Sequence, residues 1–205
     1  MLRKLLILLC IISATNTIAQ QKNTPPSKTT EKKEVDYKEL GAPMPRLKVL
    51  LYKDTATKKD TGTAATRHMS KKKKREAEAE KNEVSYLTNE DVDNGANLIV
   101  MMFNPTCSHC QDETAMLKKN MSLFNKTQIV LMANPGMMQY LPDFVNLLHV
   151  LDYPIMHVGI DSSGFINNAF GYHLLPQINR YDKNRKLLKT YNGEVAIDSL
   201  KSYIQ

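Results

Sequence analysis

The chain of 205 residues contains no tryptophan and only three cysteines. With no second cysteine pair, a four-cysteine zinc site is out of reach, and so is a disulfide scaffold stapling several loops. Long apolar runs are scarce too. The one near the start, Leu5 to Ile12, is too short to span a bilayer comfortably. Arg3 and Lys4 precede it and Thr17-Ile18-Ala19 follows, so residues 1–19 read as a secretory signal cleaved after Ala19. Cys10 lacks the small preceding residue of a lipoprotein signal and leaves with that segment. The mature protein is expected to be exported, periplasmic or extracellular with the bacterial periplasm favoured, and without a stable membrane span after cleavage.

What remains is Cys107 and Cys110, three positions apart in FNPTCSHCQDE. A bridge that short removes little freedom from the unfolded chain, so the pair is a poor staple and points to chemistry. Losing Arg3 and Lys4 takes the net charge from +7 to about +5. In an exported protein that excess does not imply nucleic acid, and no nucleic-acid partner is expected. It traces largely to one stretch, residues 53–83, which includes KKKKREAEAEK and has almost nothing to place in a core. That stretch reads as a charged, solvated insertion, helical or disordered. Residues 20–35, with Pro25-Pro26 and few apolar side chains, read as a flexible tether.

The rest, 36–205, is expected to form one domain. Leu47 to Tyr52 suits a strand, and Thr88 with Asp91 three residues on resembles a helix start. LIVMMF at 98–103 and QIVLMA at 128–133 are continuous apolar runs, as in strands buried on both faces. Helical spacing runs from Cys107 to about Phe124 and again through 137–151, with Pro142 near a helix beginning. A fourth strand at 155–160 precedes a short helix closing on Gly171. QINRYD and KLLKTYNG flank a turn at Asp182–Arg185, and an amphipathic helix follows at 195–204. That order predicts an α/β fold with a sheet covered by helices on both faces.

Cys107 falls where the second predicted strand gives way to a helix. Free N–H groups and the helix dipole there favour a thiolate, which makes Cys107 the candidate nucleophile. Cys110, one turn on, is placed to resolve a mixed disulfide formed at Cys107. His109 between them could stabilise that thiolate and make the pair more oxidising. Competing chemistries fare worse. His149, His157 and His173 match no zinc spacing, and a haem attachment needs His where Gln111 stands. Peroxide reduction normally uses a different threonine-to-cysteine spacing. Cu(I) delivery through a cysteine pair stays open, although Met101, Met102, Met116 and Met132 are more economically core fillers.

LIVMMFNPTCSHCQDETAML resembles the active-site strand and helix of the thioredoxin-like superfamily. It is most similar to the exported thiol–disulfide oxidoreductases of the TlpA/ResA type and the related alkyl-hydroperoxide-reductase-like redoxins. The resemblance covers about 36–205 outside the charged insertion. It implies a thioredoxin-like fold with a central mixed sheet, and a redox-active Cys107–Cys110 disulfide. It also places Glu113 where those proteins often carry a glutamate. YHLLPQINRYDKNRKLLKTYNGE matches the stretch where they carry a cis-proline, which assigns Pro176. A proline there also donates no N–H, leaving neighbouring backbone free to pair with an extended substrate. Thr106 departs from the aromatic residue, usually tryptophan, that commonly precedes the first cysteine in that family.

Together these features predict an exported protein-disulfide reductase that needs no cofactor or metal. Its partners are protein thiols and disulfides and a redox-recycling partner. A Cu(I)-delivery module, or an oxidant of the same fold, is the alternative.

Overall fold

The computed structural model describes residues 35–53, 85–172 and 174–201. The predicted signal, nearly all of the tether and nearly all of the charged insertion lie outside them, as does His173.

Among the described residues one mixed sheet runs through the molecule. Its strands are β1 (Lys48–Leu51), β2 (Tyr86–Thr88), β3 (Leu98–Phe103), β4 (Gln128–Ala133), β5 (Met156–Asp161), β6 (Gln177–Tyr181) and β7 (Leu187–Asn192). The helices are α1 (Ser108–Lys119), α2 (Leu141–Leu148), α3 (Phe165–Phe170) and α4 (Ile197–Lys201). The spatial order is β2-β1-β5-β4-β3-β6-β7. β3, β4 and β5 are parallel to one another, while β6, β7, β1 and β2 join by antiparallel pairing. The parallel pairs are the two whose connections carry α1 and α2, since parallel neighbours need a crossover.

Alternation along the strands divides the core into two layers. Ile99, Met101 and Phe103 face one layer with Ile129 and Leu131, closed by Leu117 of α1, Phe144 and Val145 of α2, and Leu200 of α4. Leu98, Val100 and Met102 face the other with Val130 and Met132, closed by Ile166 and Phe170 of α3 and by Met44 and Leu47. Every residue of β3 is buried. A continuous apolar run is what a strand packed on both faces requires.

Three expectations change. No helix begins at Thr88. Its N–H and hydroxyl do bond the Asp91 carboxylate (2.7 and 2.8 Å), as a cap would, but they close a turn after β2. Asn89 pins that turn by accepting the Leu47 N–H at 2.6 Å and donating to the Pro45 carbonyl at 3.2 Å. Second, β2 itself was not foreseen, because three residues are too few to display a period. Third, both long helices are shorter than their apolar spacing suggested. α1 stops at Asn120 and a separate 3₁₀ turn covers Met121–Leu123. α2 is preceded by a 3₁₀ stretch, Pro135–Tyr140, and ends on His149 at φ 49°. The Gly171 cap (φ 52°) and the hairpin turn, where Asp182 accepts the N–H groups of Asn184 and Lys186, are as predicted.

Gly159 sits where β5 meets β1. A methyl group there would fall on the Leu50 carbonyl oxygen and within 2.8 Å of Val49 Cγ1. Because the obstacle is backbone inside a sheet, Gly159→Ala is expected to destabilise the protein by roughly 1–3 kcal/mol, as core overpacking does. Urea unfolding measures this, and an unchanged midpoint contradicts it.

Candidate active site

β3 ends at Phe103, and the chain turns through Asn104-Pro105-Thr106 into α1. Asn104 organises that turn. Its side-chain oxygen accepts the Thr106 N–H and hydroxyl, both at 2.9 Å, and its carbonyl accepts the Cys107 N–H at 3.1 Å. Its own N–H points at Cys110 Sγ, 3.4 Å away. Gln111 reaches back to the Pro105 carbonyl at 2.8 Å and closes the turn.

Cys107 is the N-cap of α1 (φ −86°, ψ 123°), and its side chain makes no capping hydrogen bond. Cys107 thus occupies the position at which a capping oxygen would otherwise accept helix N–H groups. The two cysteines differ in access: Cys107 is partly exposed, whereas Cys110 is fully buried. Both are free thiols here, the reduced form of the pair. Burial pushes the Cys110 thiol up to about 12, with the nearby Cys107 sulfur and Glu113 adding to the effect and the Asn104 N–H opposing it.

Glu113 lies one turn beyond Cys110 and is 2% exposed. Oε2 accepts the Val195 N–H at 2.8 Å, while Oε1 has no hydrogen-bond partner among the described residues. Burial raises this carboxyl to about 7; the charge of Glu194 adds to the rise and the Val195 N–H counters it. A buried thiol and a buried carboxyl of raised proton affinity therefore lie side by side, a pairing suited to proton transfer.

The Leu175–Pro176 peptide bond is cis. β6 starts at the next residue, and its register (Met102↔Gln177) sets Pro176 level with the end of β3, beside the turn to Cys107. His109 takes a partner that its position between the cysteines did not suggest. Its exposed ring lies 2.5 Å (Nδ1) from Glu194 Oε1, in the loop between β7 and α4. Cys107, Cys110, His109, Glu113 and Pro176 thus gather at one end of the sheet. His157 bonds Gln128 at 2.7 Å, and His149 caps α2; neither belongs to this cluster. Met101, Met102 and Met132 are core residues and Met116 packs against the core.

Asn104, Glu194 and Val195 went unread. Asn104 before a proline carries a turn signal in the sequence. Glu194 and Val195 carry none, being 85 and 82 positions from their partners.

The raised Glu113 carboxyl makes stability depend on pH. The folded chain keeps this proton up to about 7, whereas the unfolded chain releases it near 4.5. The folded state binds more protons in that window, so stability falls as pH rises through it, by at most about 3 kcal/mol. Glu113→Gln should flatten the slope between these values and gain on the parent above pH 7. Equal slopes in chemical unfolding across that range contradict this.

No protein-family model matches the sequence, and no curated protein matches it. Solved structures do. A candidate thiol:disulfide interchange protein DsbE from Chlorobium tepidum aligns with a TM-score of 0.55 at 15% identity, over 81% of this chain and 95% of its own. The thioredoxin domain of a thiol-disulfide oxidoreductase from Bacteroides vulgatus gives 0.54 at 12% identity, over 82% and 99%. A candidate protein disulfide isomerase from Bacteroides thetaiotaomicron gives 0.55 at 12% identity, over 80% and 86%. At these identities the likeness is one of fold, and it agrees with the strand order and mixed pairing seen here. The chain has the thioredoxin-like fold.

Proposed function

We propose that the protein is an exported thiol–disulfide oxidoreductase that reduces disulfides of partner proteins. In this reading 36–205 is the catalytic domain, 1–19 the signal and 20–35 the tether. The observation that carries it is the unequal pair: an accessible Cys107 capping α1, and a buried Cys110 beside a carboxyl of raised proton affinity.

The steps follow from that inequality. Cys107 thiolate attacks one sulfur of a partner disulfide. A new S–S bond joins Cys107 to the partner, and the partner's other sulfur leaves as a thiolate and takes a proton. Cys110 passes its proton to the free oxygen of ionised Glu113 and attacks Cys107. The mixed disulfide breaks, the partner's second sulfur leaves as a thiolate that takes up the proton held by Glu113, and a Cys107–Cys110 disulfide remains. Two electrons have passed to the partner, and a recycling partner must return them. The high proton affinity of Cys110 makes it a strong nucleophile once ionised and a poor leaving group, which supports the reducing direction. The leader supports export. No described helix is long and apolar enough to cross a membrane.

Cys110→Ser should accumulate a mixed disulfide between Cys107 and a client, and Cys107→Ser should accumulate none; gel shift under non-reducing conditions reads both. Absence of any trapped client together with stoichiometric Cu(I) uptake by the parent overturns the assignment. The positive charge that His109 can carry favours the reduced, ionised pair. His109→Ala is therefore expected to lower the reduction potential by on the order of 30 mV, a tenfold change in the exchange constant. An unchanged potential removes the tuning role.

A further inference from the structure

Three consecutive residues of the loop after β7 each bond a different piece of the site. The Gly193 N–H donates to the Pro176 carbonyl at 2.8 Å. Glu194 Oε1 meets His109 Nδ1 at 2.5 Å. The Val195 N–H donates to Glu113 Oε2 at 2.8 Å. Gly193 adopts φ 83°, the left-handed region that presents successive groups to one side at little steric cost. Within the loop Val195 is buried, and beyond it Leu200 of α4 is fully buried. The Tyr191 hydroxyl donates to the Ser199 carbonyl at 3.0 Å and ties β7 to that helix.

Two of the three bonds use backbone. Glu194 supplies the loop's only side chain in the set, from a position with no packing reason to be acidic: it is half exposed, and His109 is more exposed still. We propose that Glu194 is a positioning residue of the dithiol site: paired with His109, it holds Gly193 on the Pro176 carbonyl and Val195 on the Glu113 carboxyl. The role rests on the thiol–disulfide reading above. Its chemical consequence lies in Glu113. While Val195 occupies Oε2, the carboxyl cannot turn, and Oε1 is the atom left to receive a proton from Cys110. The titratable groups facing Glu113 are Cys110 on its own helix and Glu194 on the loop, and Glu194 in turn faces His109. The negative charge of Glu194 opposes ionisation of Glu113 and so keeps it the stronger base.

The test uses the full mature chain with Glu194→Ala, Glu194→Gln and His109→Ala. Hydrogen exchange of the Gly193 and Val195 amides reports the holding role, with the β3 amides as the control for an intact fold. Glu194→Ala and His109→Ala should each speed exchange of both loop amides about threefold to fivefold, the scale of an exposed ion pair. The two combined should add nothing further, since they break one contact. Glu194→Gln keeps a hydrogen-bonding side chain and should bring exchange back toward the parent. It removes the charge, however, so the Glu113 midpoint, followed by carboxyl ¹³C NMR, should move below the parent's. A role in packing alone would not move that midpoint. Unchanged loop-amide exchange in Glu194→Ala, or an unmoved Glu113 midpoint in Glu194→Gln, overturns the proposal. Oxidised glutathione serves as the disulfide probe in parallel: Glu194→Ala should reduce it more slowly than the parent. If the parent fails to reduce it, the thiol–disulfide reading fails, while the amide and carboxyl measurements still decide what Glu194 holds.

Discussion

Leu98–Phe103 is paired along both edges and packed on both faces, and this confinement fixes the point at which the chain leaves the sheet. β4 holds one edge in parallel register, β6 holds the other in antiparallel register, and no residue of the strand reaches solvent. A strand so enclosed has no freedom to slip, because a shift by one residue would exchange its two side-chain layers. Cys107 follows its end by one short turn, and Pro176 enters the neighbouring strand at the same level. The dithiol and the proline therefore inherit their mutual placement from a hydrophobic strand that does no chemistry itself.

Burial then sets the character of Cys110 and Glu113. Removing a thiol and a carboxyl from water disfavours the charged form of each, and their proximity disfavours charging both at once. The cluster accordingly favours neutral groups in the resting dithiol and admits one negative charge more readily than two. A single proton passing between Cys110 and Glu113 exchanges one buried anion for another without adding a second. That suits the proposed exchange, in which the buried sulfur becomes a nucleophile.

Much of this was legible in the residues. The runs at 98–103 and 128–133 have an apolar continuity that only strands buried on both faces need, and each became one. A cysteine pair after such a run, with helix-forming spacing behind it, placed Cys107 at a helix start. The turn signals at Asp182–Arg185 and the cap at Gly171 are local chemistry and were read locally. What stayed hidden depends on distant partners. β2 exists because Tyr86, Leu87 and Thr88 find β1 to pair with, not because their own pattern demands a strand. Thr88 and Asp91 formed the expected hydrogen bonds, yet Asn89 drew the segment onto Leu47 and Pro45 and no helix followed. His109 carried no mark of Glu194, because loop-to-helix contacts arise only once the sheet has set the spacing.

The sheet order also separates two properties of the chain. β1 runs opposite to β5, and its last residue, Leu51, pairs with Gly159, which the parallel register sets level with Met102 of β3. β2 returns beside it, with Tyr86 opposite Leu50. The chain thus leaves β1 and re-enters at β2 along the outer margin of the sheet, with β5 and β4 between that margin and β3. Lengthening a connection between strands that are already paired costs little, since closure entropy grows only logarithmically. Charge and length can change there without disturbing the register that aims Cys107. The sheet has, in effect, a central strand that places the cysteines and a margin open to grafting, and each can be altered while the other keeps its form.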